Sequence, residues 1–180
     1  MRKQLLIILI SIMVLFSIIV PITIISVAYP IEYKDIVEKY ASEYNIDKSI
    51  LFALIKTESN FKANAISSAG ARGLMQLLPS TAKEIAGKLN ETFSVDSLYS
   101  VNTNVKYGTY YLRYLLNMFD GDYTLSIASF NAGFSNVKAW LKDTNYSEDG
   151  KTLKYIPFKE TREYVKKINF AKKIYRAKLN

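Results

Sequence analysis

The sequence predicts an all-α protein with one N-terminal membrane-spanning helix ahead of a single globular domain. Apolar residues recur at helical spacing along most of the chain, and no run alternates apolar and polar residues as a half-buried strand does. The uncharged stretch from Leu5 to Ala28 is long enough to cross a bilayer. Seven Gly and four Pro in 180 residues suit a packed helical protein better than a disordered one. With the apolar segment set aside, about 150 residues remain, enough for one sizeable core.

Residues 1–28 form the first expected domain, a membrane anchor or uncleaved signal. At about 1.5 Å per residue, Leu5 to Ala28 would extend roughly 36 Å. Arg2 and Lys3 precede it, and the positive-inside tendency leaves them in the cytoplasm and sends residues 29–180 outside. The expected location is the cell membrane, single-pass, with the following domain extracytoplasmic. A secreted form is the alternative, because Ser26-Val27-Ala28 resembles a small-x-small cleavage site. Pro21 either kinks a spanning helix or marks the end of a shorter signal core.

In the second expected domain, 29–180, Ile36, Val37, Tyr40 and Tyr44 share one face of a helix over Tyr33 to Tyr44. Asp47 is a good N-cap for Lys48 to Ser59, whose run Ile50 to Ile55 is apolar on all sides and belongs in a core. Residues 60–76 lose periodicity and read as a shaped loop. Pro79-Ser80 opens a short helix to about Leu89, and a second loop runs through Ser100. A longer helix starts at Asn102 or Thr103 and stops at Gly121. Asp122 caps the next, which closes near Gly133, and a short helix covers Ser135 to Leu141. Lys142 to Lys154 reads as a surface loop before a last helix, Lys159 to Lys178.

The chain contains neither Cys nor His. This removes disulfides, thiolate nucleophiles, a lipoprotein cysteine, the usual zinc sites and every Ser-His or Cys-His arrangement, so no metal or cofactor is expected. Chemistry must rest on carboxylates, Tyr, Ser, Lys or Arg. The net charge is +8, two units of which belong to Arg2 and Lys3. The positive residues read as scattered and no nucleic-acid motif accompanies them, so nucleic acid is not an expected partner. Cell-wall polymers or lipid headgroups suit the charge equally well.

Glu58 lies four residues after Leu54 and seven after Leu51, which sets it on the same helix face as those apolar side chains. A carboxyl in an apolar wall holds its proton to higher pH, as a general acid requires. On position alone, the commoner fate of such a Glu is to face water or a basic partner.

Four ordered blocks add to that position: Ala53 to Phe61, Ser67 to Thr81, Ala128 to Gly133 and Ile156 to Val165. Through them, from about Tyr33 to Tyr175, the chain resembles the soluble lytic transglycosylases, a lysozyme-like family that here takes a membrane-anchored form. The resemblance implies a lysozyme-like all-α fold with a saccharide groove, and it makes Glu58 the catalytic acid. It implies that Ser59 and Ser67 lie at the substrate, Ser67 polarising an N-acetyl group, and that Gly73 and Gln76 line the groove. It also implies that Asn131 bonds sugar hydroxyls and that Tyr164 orients the acid. Ala69 replaces a serine of some relatives, and Phe130 stands where the family usually has Tyr. Leu74, Met75 and Trp140 read as packing, Glu160 and Arg162 as helix-start charge. The tyrosines at 107, 110, 111 and 114 read as packing with wet edges.

Most glycosidases use two carboxylates. Glu84, Asp96, Asp120 and Asp122 are explained by helix surface, capping or turns, which leaves Glu58 without a second acid. The resemblance therefore implies substrate-assisted cleavage of the β-1,4 bond between N-acetylmuramic acid and N-acetylglucosamine in peptidoglycan, with 1,6-anhydro ends and no water consumed. The expected partners are glycan strands and, through the N-terminal helix, the membrane; a monomer is expected. The rival functions are a hydrolytic muramidase similar to goose-type lysozyme and a non-catalytic glycan-binding scaffold of a wall-spanning apparatus.

Overall fold

The computed structural model describes residues 2–180; Met1, which opens the expected anchor, lies outside the described residues, as do the side chains of Arg2 and Leu5. Two units divide after Glu32. In the first, α1 (Arg2–Ala28) is one helix in which Leu6–Ala28 has a mean hydropathy of 2.9 and no buried residue. Pro21 sits inside α1 and does not end it. The hydroxyls of Ser17 and Thr23 donate to the carbonyls of Val14 and Ile19, 2.7 and 2.9 Å away. The helix thus satisfies its own polar side chains, which a hydrocarbon environment demands.

The second unit is helical, and among the described residues its extended backbone amounts to the isolated antiparallel bridges Ile66–Arg72 and Arg72–Leu77. Its helices are α2 (Lys34–Glu43), α3 (Lys48–Ser59), α4 (Pro79–Lys88), α5 (Val101–Met118), α6 (Tyr123–Ala132), α7 (Phe134–Lys142) and α8 (Lys159–Leu179). Asp47 caps α3 by accepting from the Ser49 amide at 2.9 Å, and Asp122 caps α6 through the Leu125 amide at 2.9 Å, both as expected. Helix α5 starts earlier than expected because Ser100, and not Asn102, is its N-cap. The supposed loop before it contains a 3-10 turn, Val95–Tyr99, that buries Leu98.

Helix α3 is the centre of this unit. Ile50 through Ile55 are inaccessible to solvent on every side, and α3 packs most extensively against α8, whose Tyr164, Val165, Ile168, Ala171 and Tyr175 form the facing stripe. Phe52 and Tyr175 meet with ring centroids 5.4 Å apart. Each fully buried side chain of this size contributes about 1.5–3 kcal/mol. The α3–α8 pair therefore fixes the last turn of α3, where Glu58 sits. Trp140 is buried against Phe158, edge to face at 4.9 Å, in keeping with a packing role.

Candidate active site

Glu58 emerges from the core helix at the floor of an open cleft of about 330 Å³, lined also by Ser67, Ala69, Ala71, Gln76, Leu78, Phe130 and Asn131. Glu58 is partly exposed, while Ile50 to Ile55 behind it in the same helix are inaccessible to solvent. Burial pushes its pKa from 4.5 up to about 7, against a smaller lowering by a hydrogen bond from the Tyr164 hydroxyl to Oε1. Tyr164, 8% exposed, is itself held far above its ordinary range by desolvation and by the neighbouring carboxylate. It remains a donor at any physiological pH. The pair gives Glu58 one fixed oxygen and leaves the other for the cleft, with burial favouring the protonated form toward neutral pH.

The opposite wall is the segment from Ala65 to Leu77, which has no helix; Leu74, Met75 and Leu77 anchor it in the core. Hydrogen bonds give the rest of it its shape. The Ser67 amide donates to the Ala71 carbonyl at 3.0 Å, and the Ala71 amide donates back to the Ser67 hydroxyl at 3.0 Å. With one lone pair of that oxygen engaged, its O–H is still available to donate to a ligand in the cleft. Gln76, at φ 46°, turns its Nε2 to the carbonyls of Gly73 and Ala65 at 2.8 and 3.1 Å. Its amide oxygen is the atom it offers the cleft.

The residue that holds this wall is Asn104, which the sequence reading passed over. It is 1% exposed on α5 and makes three bonds: Oδ1 accepts from the Met75 amide at 2.7 Å, and Nδ2 donates to the carbonyls of Arg72 and Leu98, both at 2.9 Å. Gly73 explains itself here. At φ +77° a Cβ would lie 2.2 Å from both Asn104 Nδ2 and the Leu98 carbonyl, so only glycine admits the clasp. Met75 packs in turn over Gly108, where a Cβ would meet its Sδ at 2.4 Å. Leu74 and Met75 are fully buried, as expected of packing residues. The signal available in sequence was a lone amide on the apolar face shared with Gly108, Leu112 and Leu115.

At the cleft's third side, Asn131 accepts through Oδ1 from the buried hydroxyl of Thr161 at 2.7 Å, which leaves its NH₂ group to donate into the cleft. Thr161, also unforeseen, belongs to α8, so one helix supports both Glu58 and Asn131. Phe130 supplies a ring face packed 5.4 Å from Tyr111. The structure thus brings together Glu58, Tyr164, Ser67, Gln76, Phe130 and Asn131. It does not bring Ser59 or Gly73 to the cleft: the Ser59 hydroxyl turns back to the Ile55 carbonyl at 3.1 Å, and Gly73 is buried under Asn104.

Other expected roles change. Arg162 forms no pair with Glu160 but donates to the Ile156 carbonyl at 2.6 Å and lies over the Tyr155 ring, fastening the loop before α8. Tyr107 is buried and donates to Glu91, whereas Tyr110, Tyr111 and Tyr114 border a second cleft of about 230 Å³ with Glu84 and Lys88. Among the described residues, Glu58 is the one carboxylate lining its cleft, and no group of three or more Asp or Glu converges as a metal site.

This arrangement matches known proteins. A soluble lytic murein transglycosylase of Escherichia coli K12 is 33% identical over 147 residues, covering 78% of this chain and 22% of the relative. Membrane-bound lytic murein transglycosylase C of Yersinia pestis is 30% identical over 167 residues, covering 81% and 47%. The 70 kDa soluble lytic transglycosylase structure from Escherichia coli superposes with a TM-score of 0.78 at 29% identity, over 87% of this chain and 26% of that one. An inactive mutant of lytic transglycosylase Slt from Pseudomonas aeruginosa gives 0.77 at 34% identity, over 86% and 25%. The chain spans less than half the length of each of these relatives, and the expected lysozyme-like, all-α fold is theirs as well. The transglycosylase SLT domain model matches residues 35–153, so the chain belongs to the transglycosylase SLT domain family.

Proposed function

We propose that the protein is a peptidoglycan lytic transglycosylase, a lyase that cleaves the bond between N-acetylmuramic acid and N-acetylglucosamine and serves cell-wall remodelling. The observation that carries this is the solitary, desolvated Glu58 hydrogen-bonded to Tyr164 at the floor of the cleft. A single carboxyl that titrates near neutrality can serve as acid and then as base, provided the substrate supplies the nucleophile. Relatives named as soluble and membrane-bound lytic murein transglycosylases support the same substrate.

In the first step the Glu58 carboxyl donates its proton to the glycosidic oxygen as the C1–O bond breaks, releasing the N-acetylglucosamine 4-hydroxyl. The acetamido oxygen of the muramyl residue attacks C1 from the other face, forming an oxazolinium. The Ser67 hydroxyl bonds and orients that acetamido group. In the second step the Glu58 carboxylate takes the proton of the muramyl C6 hydroxyl, whose oxygen attacks C1 and opens the oxazolinium. The product is a 1,6-anhydro end, and Glu58 is protonated again. Tyr164 donates to Glu58 throughout, holding one oxygen still while the other exchanges the proton. Gln76 and Asn131 bond sugar substituents, one as acceptor and one as donor, and Phe130 gives the ring a face. Ser59 and Gly73 act behind the wall, not at the sugar.

Helix α1 would hold this domain at the outer face of the cell membrane as a single span, with 29–180 as one catalytic domain; retention after signal processing decides between anchor and secreted form. Mass spectrometry of digested peptidoglycan tests the reaction. Anhydromuramyl ends without added water are expected, and reducing ends bearing water would assign a muramidase instead.

A further inference from the structure

Positive residues run along the whole second unit, but its net charge is concentrated in one helix. Helix α8 carries eight Lys and Arg against Glu160 and Glu163, a net +6, and the remaining residues from 29 onward sum to zero. One face of α8 is committed to the core through Tyr164, Ile168, Ala171 and Tyr175. At 100° per residue the opposite face presents Lys159, Lys166, Asn169, Phe170 and Lys173, all exposed, with Lys167 and Arg176 exposed at its flanks. Phe170 is 61% exposed in the middle of this basic stripe. Lysines around an aromatic ring on a helix surface are the composition of an interfacial membrane-binding face. Lys166 pairs with Glu163 at 2.9 Å at the surface, where water screens the pair, whereas Arg176 reaches Asp47 at 3.3 Å.

We infer that the outward face of α8 docks on anionic lipid headgroups of the membrane that α1 enters. The inference rests on the proposed membrane tether. Residues 29–32 are all that separate α1 from Tyr33, and four residues reach at most about 14 Å, close to the Debye length of about 10 Å at 0.1 M salt. The short tether keeps the second unit from drifting far from the leaflet, and each basic residue of a face that turns to the surface adds about fivefold to its local residence. Because the cleft is lined from the other side of α8, where Tyr164 and Thr161 point, such docking would leave Glu58 facing away from the lipid and toward glycan.

The chain has no cysteine, so a single introduced one reports cleanly. The full chain is reconstituted in nanodiscs with a fluorophore on Asn169→Cys, or on Asn117→Cys, an exposed site on α5. Quenching by headgroup nitroxide lipid is then compared in discs of phosphatidylcholine alone and with about one third phosphatidylglycerol. At least threefold stronger quenching at 169 than at 117 is expected in the anionic discs. It should fall to the level at 117 in neutral discs and in the Lys166→Glu, Lys173→Glu variant. Equal quenching at both positions in anionic discs, or quenching at 169 that ignores lipid charge, overturns the inference. So does a response of the 169 probe to soluble poly(glycerol phosphate) equal to its response to lipid, which would make the partner a wall polymer. The muropeptide assay on the same discs separates the failures: anhydro products without quenching leave the proposed reaction standing. Loss of the chain from the discs removes tether and docking together.

Discussion

Two walls of one cleft are built on opposite principles. The α3–α8 wall is apolar packing, with six consecutive inaccessible residues in α3, and it ends in Glu58, the carboxyl proposed as the acid. The Ala65–Leu77 wall is anchored by Leu74, Met75 and Leu77 but has no helix, and it is clasped by two hydrogen bonds from a single buried amide, Asn104, whose third holds the Leu98 carbonyl. The difference concerns what each wall needs. A general acid needs a fixed, dry setting that packing supplies cheaply, whereas a wall that offers donors and acceptors to a sugar must expose backbone and short polar side chains. Its polar stretch therefore needs a hydrogen-bonding partner besides the apolar anchors Leu74, Met75 and Leu77.

The largest expected effect breaks the chemistry while leaving the packed wall intact. Glu58→Gln should lower activity by about 10³-fold or more, since the amide neither gives nor takes the proton. It should also raise stability in a pH-dependent way. A carboxyl raised from 4.5 to about 7 binds its proton more tightly in the folded state, so wild-type stability falls as pH rises between those values. The loss reaches about 3 kcal/mol above pH 7. The variant, always neutral, should match wild type at pH 4 and exceed it at pH 8 in urea unfolding. A constant difference across that range would mean that Glu58 is not desolvated.

Asn104→Leu attacks the clasped wall. It keeps the volume roughly constant, but strands the Met75 amide and the Leu98 carbonyl and takes one of two donors from the Arg72 carbonyl, at a cost of about 3 kcal/mol. Ile50→Val, a methylene from the middle of α3, should cost only about 1 kcal/mol. Activity separates the walls further. With Ser67 and Gln76 no longer held, the Asn104 variant should lose turnover even at temperatures where it is folded, and the Ile50 variant should not. Equal melting shifts for the two would dissolve the contrast.

Tyr164→Phe probes the joint between packing and chemistry. It removes the hydrogen bond that lowers the Glu58 pKa, so the pKa should climb above 7 and the alkaline fall of the kcat/KM profile should move to higher pH. Activity at pH 7 should drop about 10- to 100-fold, because the acid loses its fixed orientation and is a poorer donor. A lower activity with an unmoved profile would make Tyr164 a packing residue only.

The same contrast explains what was legible in sequence. Helices α2 through α8 could be placed to within a few residues because periodicity, Asp caps and Pro79 at a helix start are local signals. Glu58 was legible because helical spacing ties it to Leu51 and Leu54. The clasped wall was legible only through family resemblance: its contacts join residues about thirty positions apart, and no periodicity encodes Asn104 reaching Met75. For the same reason Gly73, expected at the sugar, is a packing requirement, and Ser59 turns its hydroxyl into its own helix. Thr161 was invisible because its partner Asn131 lies on another helix.

The smallest expected effect sits where the two walls face each other across the cleft. Phe130 lines it with a ring packed on Tyr111 and has no polar atom to give the substrate. Phe130→Tyr adds one hydroxyl to a half-buried ring, and a single new hydrogen bond is worth about 1 kcal/mol, or roughly fivefold. If that hydroxyl reaches the cleft, kcat/KM should rise by up to that factor with the melting temperature unchanged. If it is forced against Tyr111 instead, stability should fall with no gain in rate. The first outcome would mean that this chain gives up a substrate contact its relatives usually make, and the second that the ring here belongs to the packing of α5 and α6.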